Sequence, residues 1–404
     1  MRDVYEKIDG GVAAPEGFRA AGVSCGIKTN ARLDLAVIAS DVPASAAAVF
    51  TTNLAQAAPV LVSRENFRRS AGRMRAVVVN SGCANACTGI DGMQHAQEMV
   101  DLTAKTLSVE PSAVLVASTG VIGVKLPMEN IGRGIGDAVR ALSRDGGPAA
   151  ARAIMTTDPF PKEVAVEVHS DAGTFRVGGI AKGSGMIEPL MATMLAFVTL
   201  DAAVEPPLLQ RALKAACDET FNAISVDGEC STNDCVFALA SGVAGVTLKE
   251  ADYPVLVDAL RQVCEPLAIG IVRGGEGATK LITIRVVGAQ SNDEARRTAR
   301  AIANSPLVKT AIHGGDPNWG RLVAVMGRSG SAFLLARAAV RIGPVELFSN
   351  GTPFDDRSPD AAVYLKGTDV QLEVDLGTGG SGTSHMWTCD LTAEYVKINA
   401  EYRT

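Results

Sequence analysis

The sequence predicts a globular protein of mixed strands and helices, divided into two or more domains. Two observations carry this. The chain is 404 residues long, 47% hydrophobic and 20% charged, enough to fill more than one core and unlike a disordered chain. Short apolar runs of strand length also alternate with stretches of helical period. A net charge of −6 and a pI near 5.4 argue against an extended nucleic-acid footprint. No apolar run is as long as a membrane span. The opening stretch MRDVYEKIDGGVAAPEGF has no apolar signal core. The expectation is a soluble, cytoplasmic protein with no nucleic-acid or membrane partner.

Taken in order, residues 10–28 are rich in Gly, Ala and Pro and read as loop with short strands. Residues 35–39 are a short apolar strand, and 47–53 lead into another. RAVVVN, 75–80, is a buried strand entering the small-residue segment SGCANACTG. Helical period covers 92–107, with Met93, Ala96, Met99, Val100 and Leu107 apolar. AVLVA, 113–117, is a strand ending in Ser118-Thr119-Gly120-Val121. Residues 129–143 form a second amphipathic helix. Thr156-Thr157-Asp158 before a proline reads as a turn. Runs 163–168 and 174–180 make a hairpin around Ser170-Asp171-Ala172-Gly173.

Residues 194–200 are a buried strand, 207–222 a helix, 225–235 (SVDGECSTNDC) a polar, turn-rich run and 236–240 a strand. A helix over 253–265 and the glycine-flanked Glu276 precede a strand over 281–287. Residues 293–304 form a charged helix. SPLVKTAIHGGDPNWGR, 305–321, reads as a compact polar loop. Strands are expected at 338–342, 361–365 and 370–374, then a mobile glycine-rich loop over 375–384. Residues 390–404 read as a strand-like run and a tail.

Eight cysteines and four histidines invite a metal reading. Cys83 and Cys87, and Cys230 and Cys235, lack the spacing of a zinc half-site, and His95, His169, His313 and His385 form no HxxxH pair. The thiols are expected to be small buried groups, with no metal bound.

The chain is organised around GIAKGSGMIEPLMATMLAFVTLD, 179–201. A glycine-rich approach leads to Ala192-Thr193 at the mouth of a buried strand. By pattern alone, Thr193 is either an ordinary first strand residue or a hydroxyl placed for nucleophilic attack. Thr119-Gly120 is either a turn or cap, or a hydroxyl and backbone N–H aimed at one spot, as an oxyanion requires. Lys182 is a solvated loop lysine or a cation beside Thr193. Glu276 is a turn carboxylate or a ligand for an ammonium.

KGSGMIEPLMATML closely resembles the self-cleavage segment of the glutamate N-acetyltransferases of arginine biosynthesis, also called ornithine acetyltransferases. The opening of the chain, VFTTN, SGCANACTG and HGGDPNWGR extend the resemblance over nearly its whole length. The SVDG-STNDT-like run departs from the family at Cys235.

The resemblance implies an α/β fold with a layered α-β-β-α architecture like that of N-terminal-nucleophile hydrolases, self-cleaved into two chains. The cut at Ala192-Thr193 would give an α chain, 1–192, and a β chain, 193–404, the latter including a smaller C-terminal α/β domain from about 285. Two of each would assemble as a heterotetramer. Thr193 becomes the nucleophile, and Thr119 with Gly120 the oxyanion hole. Thr156, Lys182, Thr193, Glu276, Asn399 and Thr404 contact substrate, the last two from a tail that folds back.

The chemistry fits these residues. No histidine sits in a recognisable motif with Thr193, but an N-terminal threonine carries its own base, an α-amine of pKa about 7.7–8.0. That amine is free only after the preceding bond is cut. The implied reaction moves the acetyl group of N-acetylornithine to glutamate through an acetyl-threonine, without a cofactor. Some family members also take acetyl-CoA as a co-substrate. The alternative is an aminopeptidase or amidase of related fold, with water as acceptor.

Overall fold

The computed structural model describes residues 4–29, 31–188 and 194–401. They form two units. The first runs to Asn222 and includes Glu229–Ile271; the second comprises Ala223–Gly228 and the chain from Val272 on. The second unit therefore begins before residue 285. The turn after the helix Tyr253–Arg273 belongs to it, because Gly275 packs on Cys389 and Val226, and Arg273 pairs with Asp369.

In the nine-stranded sheet of the first unit the strands are β1 (Val4–Ile8), β2 (Phe18–Val23), β3 (Leu35–Phe50), β4 (Arg73–Cys83), β5 (Val114–Val121), β6 (Lys162–Ser170), β7 (Gly173–Lys182), β8 (Leu195–Leu200) and Cys235–Ala240. They join in the order β1-β6-β7-β8, Cys235–Ala240, β3-β4-β5, with β2 on β3. The two short strands expected at 35–39 and 47–53 are one strand of 16 residues. Its middle, Asp41-Val42-Pro43, is more exposed than the rest, and its register against β4 shifts between Ala39 and Ala44. The first half pairs with β2 and β4, the second with Cys235–Ala240. Such a bulge bends a strand, and here the sheet folds over on itself.

Alternation then sorts the side chains into layers. Ala36, Ile38, Leu115 and Ala117 from one half share a core with Leu195, Phe197 and Phe237 from the other. Phe197 and Phe237 lie 5.9 Å apart between ring centroids, each stabilising by about 1.5–3 kcal/mol through burial. Leu35, Val37, Val78 and Val116 face outward onto the helices α1 (Ala58–Arg69), α2 (Gly89–Leu107) and α3 (Met128–Arg140). A short helix, α4 (Gly147–Ala153), closes the shared core. On the far side, the Gln210 side chain of α5 (Pro206–Glu219) bonds both the N–H and the C=O of Ala48, satisfying an edge of β3. The helix α6 (Tyr253–Arg273) lies so close to β7 that a Cβ at Gly179 would stand 2.9 Å from Val263. This is the expected helix-sheet-sheet-helix layering. Cys235 faces the inter-sheet core, where a small apolar residue fits. Five of the eight cysteines are buried, but Cys87 is exposed.

The second unit has a seven-stranded sheet in the order Ile224–Ser225, Gly382–Cys389, Leu281–Ala289, Asp369–Asp375, Ala339–Ile342, Val345–Ser349, Thr352–Pro353. Ser291 caps the helix α7 (Asn292–Ala303) through Glu294 N–H. The stretch read as a polar loop, 305–321, is mostly helical. Ser305 caps α8 (Pro306–Gly314) and Asn318 caps α9 (Trp319–Arg328), each by accepting a backbone N–H. Ser-Pro and Asn before helical spacing are start signals, overridden in the reading by the run of Gly, Asp and Pro.

Two expected strands are helices too. Residues 361–365 belong to α10 (Ser358–Tyr364) and the residue after it, with Pro359 in its first turn. The tail forms α11 (Ala393–Glu401), and Thr392 Oγ1 accepts the Tyr395 N–H at its start. The loop after Asp375 is tied down: Gly377 N–H bonds Asp375, and Thr378 bonds Gly288 O at 2.6 Å. Among the described residues, no helix is long and apolar enough to cross a membrane.

Candidate active site

The first group of site residues sits where β5 and β7 end. β5 lies parallel to β4, with Thr119 opposite Ser81 and Gly120 opposite Gly82. Gly120 has φ +128°, and a Cβ there would stand 2.3 Å from the Gly82 carbonyl carbon. No other residue fits that approach. The register shifts at Gly82-Cys83, so the regular ladder ends at this level. Asn233 fixes the position from across the fold, donating from Nδ2 to Ala84 O at 2.6 Å and Ser118 O at 2.9 Å.

Lys182 is not a solvated loop lysine. It is the last residue of β7, only 8% exposed, and its Nζ donates to Thr119 Oγ1 at 3.3 Å. Its neighbour Asp158 organises the rest. One carboxylate oxygen accepts from Lys162 Nζ and Gly183 N–H, both at 2.7 Å, and the other from Thr156 N–H at 2.9 Å. Burial pushes this carboxyl up, but the Lys182 and Lys162 charges and the hydrogen bonds outweigh it and hold it down to about 2. Burial lowers Lys162, against the pull of Asp158. Lys28 also feels this cluster. Burial and the charges of Arg32 and Lys182 bring its ammonium down to about 8, although Asp34 and Asp158 favour the charge. Three lysines and Arg32 against the two carboxylates Asp158 and Asp34 leave a local excess of positive charge, which suits an anionic ligand.

Thr119, Gly120, Thr156 and Lys182, singled out in the sequence, therefore come together. Ala192 and Thr193 lie outside the described residues. So does Thr404. In the second unit, Glu276 and Asn399 meet: Asn399 Nδ2 donates to Glu276 Oε2 at 2.8 Å. Glu276 is 8% exposed. The next residue, Gly277, has φ +69°, and a Cβ there would stand 2.5 Å from Tyr395 N. Glycine thus allows the Glu276 turn to seat against the start of α11.

Asp158, Lys162, Asn233 and Asp234 were not singled out. Asp158 was visible only as the polar end of a turn, and Asn233-Asp234 as part of a polar run. The available signal was a polar pair directly before an all-buried strand. Among the described residues, one group of ligand-type side chains lies close together, Glu6, Glu167 and His169. None of the three is buried, and Arg176 already pairs with Glu167.

The buried ion pair gives a stability prediction. The Lys162 and Asp158 side chains are 2% and 0% exposed. Asp158→Ala strands a buried ammonium and should cost about 3–5 kcal/mol, read as a lower midpoint in urea unfolding. An unchanged midpoint would mean that the pair does not hold this end of β7.

The ArgJ family model matches residues 19–404. The arginine biosynthesis bifunctional protein ArgJ of Symbiobacterium thermophilum is 49% identical over 404 residues, covering 99% of this chain and 100% of that one. Its counterpart in Synechococcus is 48% identical over 416 residues and covers all of both. Among solved structures, an ornithine acetyltransferase from Mycobacterium tuberculosis, complexed with ornithine, is 42% identical. It covers 47% of this chain and 100% of that one, with a TM-score of 0.43. With a family match over nearly its whole length and such identity to full-length relatives, the chain belongs to the ArgJ family.

Proposed function

We infer that this chain is a glutamate N-acetyltransferase of arginine biosynthesis, moving the acetyl group of N-acetylornithine to glutamate. The observation that carries the reading is the Lys182–Thr119 contact beside Gly120, in a chain of this family. Thr193 Oγ attacks the Ala192 carbonyl, giving an ester by N→O acyl shift. The shift breaks the Ala192–Thr193 C–N bond and frees the Thr193 α-amine; water then hydrolyses the ester, releasing the Ala192 carboxylate and restoring the Thr193 hydroxyl. That amine then takes the hydroxyl proton as Oγ attacks the acetyl donor, ornithine leaves, and the acetyl-threonine passes its acetyl group to the glutamate amine. Thr119 O–H and Gly120 N–H stabilise the oxyanion, and the lysine cluster attracts the amino-acid carboxylate. No cofactor takes part.

The α chain, 1–192, and the β chain, 193–404, are expected to remain associated as a heterotetramer of two of each. The relatives are named bifunctional, and we expect acetyl-CoA to serve as a second donor. Incubating the protein with N-acetylornithine, with and without glutamate, tests the reading. Formation of N-acetylglutamate supports it. Acetate release that does not depend on glutamate would point to the hydrolase alternative.

Glu276 is assigned to the ammonium of the amino-acid substrate. Glu276→Ala should raise KM for N-acetylornithine while leaving self-cleavage intact, because cleavage needs no substrate. Deleting residues 399–404 should do the same. Lost processing with unchanged KM in the residual mature enzyme would return these residues to a folding role.

A further inference from the structure

Two motifs read in the sequence have no role so far: SGCANACTG, 81–89, and the polar run before Cys235–Ala240. They meet at Thr119-Gly120. Asn233, 4% exposed, donates from Nδ2 to Ser118 O at 2.9 Å and to Ala84 O at 2.6 Å. The Ala84 N–H in turn donates to Val121 O at 2.9 Å. These bonds close a ring. It runs from Nδ2 to Ser118 O, along Thr119 and Gly120 to Val121 O, across to Ala84, and from Ala84 O back to Nδ2. One amide nitrogen thus holds the Thr119-Gly120 pair at both ends, directly through Ser118 and by way of Ala84 at Val121.

The pair needs such a clamp. Gly120 has φ +128°, and a glycine backbone is the least restricted of all. The ladder between β4 and β5 loses its regular register at Gly82-Cys83, so strand pairing alone does not hold this end. An oxyanion donor stabilises charge best when it already points at the place where the charge develops.

The orientation of the amide is fixed as well. Ser118 O and Ala84 O only accept, so the NH2 side must face them. Thr232 Oγ1 donates to Asn233 Oδ1 at 2.6 Å and holds the other side. Thr232 is anchored by its own carbonyl, which accepts the Ala57 N–H at the start of α1 at 2.9 Å. The Asn233 side chain therefore has both its hydrogens and its oxygen in use, in a buried network with no donor or acceptor of the amide left over.

We propose that Asn233 is the positioning residue of the oxyanion hole, its amide clamping Thr119 and Gly120 through Ser118 O and Ala84. This deepens the functional reading and rests on it, because it takes Thr119 and Gly120 as the oxyanion donors. The donors act on the tetrahedral centre and not on the bound ground state, so loosening them costs kcat rather than KM.

The test uses the full-length protein after processing. Asn233→Ala removes both donors. Its kcat for consumption of N-acetylornithine should fall about 10–100-fold, with KM changed by less than about twofold. Hydrogen exchange at 118–121, followed by mass on overlapping peptides, should speed up at least about tenfold while 114–117 keeps its rate. A merely structural role would speed exchange along all of β5 and leave kcat per folded molecule unchanged. If Asn233→Ala does not fold or does not process, Thr232→Val keeps the amide but removes the hydroxyl that orients it. It should move kcat and exchange in the same directions by less. The exchange readout needs neither processing nor turnover. If wild-type protein processes but consumes no N-acetylornithine, the functional reading has failed, and exchange by itself decides whether Asn233 clamps the pair. In active protein, an unchanged kcat or unchanged exchange at 118–121 would overturn the proposal.

Discussion

Thr193→Ala is expected to leave one full-length chain with no acetyl transfer. Both steps of the proposed chemistry need the Thr193 hydroxyl. Cleavage needs the Thr193 hydroxyl to attack the Ala192 carbonyl; transfer needs that hydroxyl and the α-amine that cleavage releases. Alanine removes the hydroxyl and, by blocking cleavage, keeps the amine locked in a peptide bond. The loss is therefore complete rather than partial. Thr193→Ser keeps a hydroxyl at the same atom and should still be processed. The check is a denaturing gel beside a transfer assay. A Thr193→Ala protein that still splits at the same bond would refute the intramolecular mechanism.

Thr119→Ala is expected to lower kcat by about 10²–10³, or about 2.7–4 kcal/mol of transition-state stabilisation. The structure gives a reason to assign Thr119 the donor role. A hydroxyl has one hydrogen to donate and two lone pairs to accept with. Lys182 Nζ occupies one lone pair at 3.3 Å, and no acceptor among the described residues takes the hydrogen. The O–H is thus left to donate. Gly120, pinned against Gly82, holds the neighbouring backbone in place before the reaction begins, so little reorganisation is needed as the oxyanion forms. Processing should slow as well, since it also passes through a tetrahedral centre. An unchanged kcat would make Thr119 a turn residue.

Much of the local structure was legible. The hairpin of β6 and β7 follows from two apolar runs and a Ser-Asp-Ala-Gly turn. α2 and α3 follow from apolar spacing. What misled was local chemistry with two readings. The 305–321 segment carries Gly, Asp and Pro, which signal loops, but Ser305 and Asn318 use such polar neighbours as helix caps. Residues 393–401 contain Tyr, Val and Ile, which favour strands, yet they form a helix started by Thr392. β3 looked like two strands because exposed residues and Pro43 interrupt its apolar pattern where it bends.

By itself, the sequence determined the covalent facts of the site: a threonine after an alanine at the end of a glycine-rich approach, a Thr-Gly pair closing an apolar strand, and a motif set specific enough to indicate the family. Those are properties of neighbouring residues, which spacing and motif record. The tertiary structure decided that Lys182 is buried against Thr119, and that Asp158 gathers Lys162, Thr156 and Gly183. These pairings join positions far apart in the chain. They arise because β3 bends and brings two halves of a sheet over one core, setting the ends of β5, β7 and the approach to Cys235–Ala240 at one level. Whether a lysine is solvated or desolvated, and so what its charge does, depends on that packing and not on its neighbours in sequence.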